Sequence, residues 1–127
     1  MKYGAVSIMF FVAVAHASDF AARVKAGKQA VASPEGQQYE RSLGAVMKSI
    51  LTTCIPKGST DPANLGTFTF VADVSVAGLV SSVEVDPSTA VSQCFALHFG
   101  RAHLPKPPTS LMKGEILPVA DDIEVTP

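Results

Sequence analysis

Residues 66–86, GTFTFVADVSVAGLVSSVEVD, constrain the fold more than any other stretch of the chain. Phe68, Phe70, Ala72, Val74 and Val76 alternate with Thr67, Thr69, Asp73 and Ser75. That period of two is the mark of a strand with one buried and one polar face. Ala77-Gly78 supplies a tight turn, after which Leu79 to Asp86 returns with Val83 and Val85 on one side and Ser82 and Glu84 on the other. A β-hairpin is predicted, with strands at Thr67–Val76 and Leu79–Asp86.

The flanking segments read as helices and a further strand. Ser33-Pro34-Glu35 has the form of a helix start: a serine cap, proline at the first position and an acid in the first turn. One helix is predicted from Pro34 to about Thr53, with Tyr39, Leu43, Val46, Met47, Ile50 and Leu51 as its apolar stripe and Pro56 and Gly58 marking its end. Lys57 to Gly66 is a loop by its turn residues. Asp86-Pro87-Ser88-Thr89 offers several caps for a second helix, in which Val91, Cys94, Phe95 and His98 share a face. Gly100 and the run Leu104-Pro105-Lys106-Pro107-Pro108 end it. Glu115 to Val125 reads as a last strand, and Pro118 with Asp121-Asp122 suits a sheet edge. The fold class is α+β, a small antiparallel three-stranded sheet with two packed helices, as a single domain over residues 34–127.

The N-terminus points to export. Lys2 precedes an uncharged apolar run, Gly4 to Val14, and Ala15-His16-Ala17 has the small-x-small pattern of a cleavage site. Residues 1–17 are expected to be a cleaved leader, leaving Ser18 first, because the run is too short to stay as a membrane anchor. The remaining chain of about 110 residues is the size of one domain. Residues 18–33 are predicted as a weak helix or flexible arm: Phe20, Val24 and Val31 share a side, but Gly27 weakens the helix. In a periplasmic or secreted chain, two cysteines, Cys54 and Cys94, read as one disulfide. The loop of about 41 residues that it closes is worth on the order of 4 kcal/mol by chain entropy.

Residues 66–94, GTFTFVADVSVAGLVSSVEVDPSTAVSQC, resemble the strand, glycine turn, strand and helix of the TonB C-terminal domain. HLPKPP is similar to the proline-ended segment that follows the helix, and EILPVADDIEVTP to the last strand. The cysteine placement resembles the AgmX/PglI-type relatives, and the likeness spans roughly residues 50–127. It implies a compact α+β domain that pairs an edge strand with a short extended segment of an outer-membrane transporter. A transducer of that family keeps a membrane anchor and a long proline-rich spacer. With a cleavable leader and no such spacer, this chain is expected to share the fold and the edge-strand mode but not energy transduction.

Candidates for chemistry are few. His98, Arg101 and His103 cluster, but the histidines are five apart across Gly100 and lack the i, i+4 spacing of a zinc-gripping pair. They are read as a helix end complementing the dipole. Asp121-Asp122-x-Glu124 lacks a glycine-bearing calcium loop and reads as a charged edge. There is no Gly-x-Ser-x-Gly elbow and no phosphate-binding glycine loop, so no catalytic residue, metal or cofactor is expected. With 11 acidic residues and no basic patch, nucleic acid is not an expected partner. The expected function is a non-enzymatic module pairing a protein partner's extended segment with its sheet edge at Glu115, Ile116, Leu117, Ile123 and Val125. A proline at Ile123 is the substitution expected to disrupt that pairing. The alternative is an inhibitor or immunity protein directed at an exported toxin.

Overall fold

The computed structural model describes residues 8–126. The alternating run becomes β1 (Gly66–Ser75), the central strand of a three-stranded antiparallel sheet. β2 (Val80–Asp86) lies on one side of it and β3 (Ile116–Val125) on the other. Phe68, Phe70, Ala72 and Val74 are buried on one face of β1. They meet Phe95 and Phe99 of the helix that follows the hairpin, with ring centroids 5.1 Å apart for Phe70–Phe95 and 5.2 Å for Phe70–Phe99. The β1–β2 ladder is irregular: Val71 pairs with Glu84 but Asp73 with Ser81, so β2 carries an extra residue. Ser82 takes it up with φ of 53°, as expected at a bulge.

Of the candidate caps in Asp86–Thr89, Thr89 is the one used. Its hydroxyl accepts from the Ser92 N–H at 3.0 Å while the Ser92 hydroxyl accepts from the Thr89 N–H at 2.7 Å, a reciprocal capping box. The helix predicted as one piece from Pro34 to Thr53 is two: α2 (Pro34–Ser42) and α3 (Gly44–Cys54). The break falls at Ser42-Leu43-Gly44, and serine and glycine are the usual residues at a sharp kink. Ser42 donates its hydroxyl to the Tyr39 carbonyl, Gly44 has weak helix propensity, and the turn lets Leu43 bury in the core. The helix after the hairpin (Ala90–Phe99) is therefore α4, and α3 packs against it. The expected disulfide joins them, from Cys54 at the end of α3 to Cys94 in α4, with Cα atoms 5.7 Å apart.

Among the described residues there are four α-helices where two packed helices were expected: the split of the predicted helix into α2 and α3 adds one, and α1 (Ile8–Ala30), which covers the second face of the sheet, adds the other. Of the expected leader, residues 1–7 lie outside the described residues and residues 8–17 form the start of α1. No helix among the described residues is long and apolar enough to cross a membrane. Residues 18–30 run as helix across β3 and β1, over the buried Ala120 and Val71. Gly27 is the point of closest approach, where a Cβ would lie 2.7 Å from both the Cβ and the backbone nitrogen of Ala120. Read from the sequence as a weakness in the helix, this glycine is what lets helix and strand touch. At either side, Arg23 bonds Glu84 at 2.6 Å and the Ser82 carbonyl at 2.7 Å, and Lys28 bonds Asp122 at 2.9 Å.

Candidate functional site

β3 pairs with β1 along its whole length and, among the described residues, no strand lies on its other side. Which of its backbone groups point outward follows from two hydrogen bonds. The Ser75 N–H donates to the Leu79 carbonyl, so Ser75 faces β2 and the alternate residues Val74, Ala72, Phe70 and Phe68 face β3. Their register partners Leu117, Val119, Asp121 and Ile123 therefore bond to β1. Ile116 exchanges both its backbone bonds with Lys113, on the outer side, which sets the same phase from the other end. The outward set is Pro118, Ala120, Asp122 and Glu124.

That edge is open over part of its length. Pro118 carries no N–H. Ala120 is only 2% exposed under α1, with the α1–α2 corner at Val31 and Gln37 beside it. The Asp122 N–H donates to the Asp121 carboxylate of its own strand at 2.8 Å. Among the described residues, nothing bonds the Asp122 carbonyl or the backbone groups of Glu124. Short edges, proline and charge at the margin are the usual defences against indiscriminate pairing, and here they leave one end free.

Beside the free end lies an open groove of about 1030 Å³ between the edge of β3 and helices α2 and α3. Met47, Leu51 and Ile55 line its α3 side and Ile123 its β3 side; they form an apolar floor because the α3 stripe outlasts the part of it that packs in the core. Glu40, Arg41, Lys48, Lys57, Asp121 and Asp122 also line it, so the groove carries charge of both signs. Burial pushes the Glu40 carboxyl above its ordinary value, and the nearby charge of Asp121 adds to the rise. Asp122 is held below its ordinary value by the hydrogen bond from Thr69 and then by that from Lys28.

The residues predicted for the edge fall on both sides of this geometry. Glu115 and Ile116 are exposed, though the backbone of Ile116 is already satisfied by Lys113. Leu117, Ile123 and Val125 point their side chains into the core. Leu117 and Ile123, like Val125 opposite Gly66, turn their backbone groups to β1. The outward positions are one residue displaced, at Asp122 and Glu124. A proline at Ile123 would thus break the bond to Phe68 rather than a contact with a partner. Met47 and Leu51 of the groove were read as core stripe, and only the position of β3 shows that they also form a wall.

The helix-end cluster is divided. His103 forms an isolated bridge with Leu79, and Arg101 is exposed. His98 lies one helical turn beyond Cys94 and beside the disulfide, so that donor atoms of Cys54, Cys94 and His98 all lie within 4.8 Å of one another. Against known protein families, curated proteins and solved structures, the chain finds no match.

Proposed function

We propose that this protein is an exported, non-enzymatic binding module that takes an extended segment of another protein as an added strand against the Asp122–Glu124 end of β3. The observation that supports it best is the unbonded Asp122 carbonyl and Glu124 backbone beside an apolar groove. The proposal also draws on the TonB C-terminal likeness of residues 50–127, where an edge strand serves the same purpose. Export rests on the leader pattern and accords with the disulfide.

Magnitudes say what the partner must carry. Three backbone hydrogen bonds contribute about 1 kcal/mol each net, whereas a micromolar complex needs about 8 kcal/mol. Strand pairing therefore supplies register, and side chains buried against Met47, Leu51 and Ile55 supply most of the affinity, at roughly 1.5–3 kcal/mol for each large apolar residue. The partner segment is extended and apolar at alternate positions.

Panning a random peptide library against the protein tests this. Selected peptides are expected to lose binding at least tenfold to Glu124→Pro, which removes an outward donor, and to Leu51→Asp, which charges the groove. Leu97→Asp, on the exposed face of α4, should leave them unchanged. Peptides that bind Glu124→Pro and Leu51→Asp as well as the original chain would overturn the edge-strand reading.

A further inference from the structure

We propose that Cys54, Cys94 and His98 form a redox-gated metal site: a disulfide when oxidised, and when reduced a Cys2His set for one Zn2+ ion. Cys94 and His98 are spaced i, i+4 on α4, so their side chains leave the same face one turn apart. Cys54 reaches them from the last residue of α3. All three are half-buried, and their donor atoms already lie within 4.8 Å of one another. The imidazole is therefore within reach of a cation held by both sulfurs, which part on reduction to the spacing set by Zn–S bonds near 2.3 Å and Zn–N near 2.0–2.1 Å.

The imidazole has no other employment. Among the described residues no group hydrogen-bonds the His98 side chain, although it sits half-buried against two sulfurs. A shallow depression of about 460 Å³, with Ser49, Thr53 and Ala102 in its lining, opens at His98. It leaves room for water as a fourth ligand, and Cys2His plus an open position is an attested zinc arrangement. Two thiolates and an imidazole favour a borderline or soft cation over magnesium or calcium.

The chemistry balances through a dithiol reductant. The reductant gives two electrons and two protons, becoming a disulfide itself, and the Cys54–Cys94 bond opens to two thiols. Zn2+ displaces both thiol protons, forming two Zn–S bonds and one Zn–N bond, and two protons are released. On reoxidation a disulfide partner takes two electrons from the two thiolates and two protons from water, becoming a dithiol, while the Cys54–Cys94 bond re-forms and the two Zn–S bonds break, releasing the ion. In the oxidised state His98 is a lone ligand and holds zinc weakly.

The test is equilibrium dialysis of the purified chain with Zn2+, before and after reduction by a phosphine under anaerobic conditions. One zinc per chain is expected after reduction and none before. His98→Ala should weaken zinc binding at least tenfold, since even an outer-sphere partner of a ligand commonly contributes about 10–100-fold. His103→Ala should leave it unchanged. Should the reduced chain lose its fold, one equivalent of zinc is expected to restore the circular dichroism of the oxidised form. Binding of zinc equally well when oxidised, indifference to His98→Ala, or a reduced chain that neither binds zinc nor refolds with it would each overturn the proposal.

Discussion

Glu40 and Asp121 bring like charge to the margin of the groove, and Glu40 bears the consequence. Its carboxyl is raised first by burial and then by Asp121. A raised acid favours the folded state fully only below its unfolded value, and that advantage is lost as pH rises through the folded value. At neutral pH, charged Glu40 thus works against folding. Glu40→Gln is expected to raise the thermal midpoint at pH 7 and to match the original chain near pH 3; a lower midpoint at pH 7 would refute this. Asp122 has the opposite sign. Its depressed carboxyl adds stability above the ordinary value of 3.8, which is lost as pH falls through the lower folded value. Tyr39 is decoupled from this range: burial pushes its phenol up to about 12, and it donates to the Pro105 carbonyl at 2.8 Å.

At the scale of elements, α1 shows how a local rule and a tertiary contact can oppose each other. In an exposed helix, alanine in place of glycine gains about 1 kcal/mol. At Gly27 the new methyl would meet β3 backbone at 2.7 Å, so Gly27→Ala is expected to destabilise by about 1–3 kcal/mol in chemical denaturation, as overpacking does. Denaturation showing a gain would mean that α1 does not dock there. The same opposition explains what was legible beforehand. The β1 alternation, the α4 stripe and the Cys54–Cys94 pairing could be read because each depends on near neighbours in the chain or on there being one pairing to choose. The break at Ser42-Leu43-Gly44 was missed because the apolar spacing continues through it. On β3, alternation of Leu117, Val119, Ile123 and Val125 reveals the buried face, but it does not say on which edge the neighbouring strand lies. Only the neighbouring strand decides which residues turn outward, and hence that Asp122 and Glu124 rather than Ile123 are free. His98 was paired with His103 by proximity in sequence, whereas the helix turn and the disulfide place it with the cysteines.

The molecule as a whole is three layers, with α1 on one side of the sheet and α2, α3 and α4 on the other. The disulfide spans 40 positions of sequence and encloses the hairpin and the start of α4 in a covalent ring. Outside that ring, the segments before Cys54 and after Cys94 are held to the rest by packing and hydrogen bonds, and α1 packs directly on β3. Under tension between its two ends the protein is thus a closed link with two detachable arms. An optical-trap experiment should see β3 and α1 part first, after which the oxidised chain stops short of full extension by about 130 Å, the contour of the locked segment. With reductant in the chamber that missing length should appear, and an oxidised chain reaching the same extension as a reduced one would show that the link is not closed.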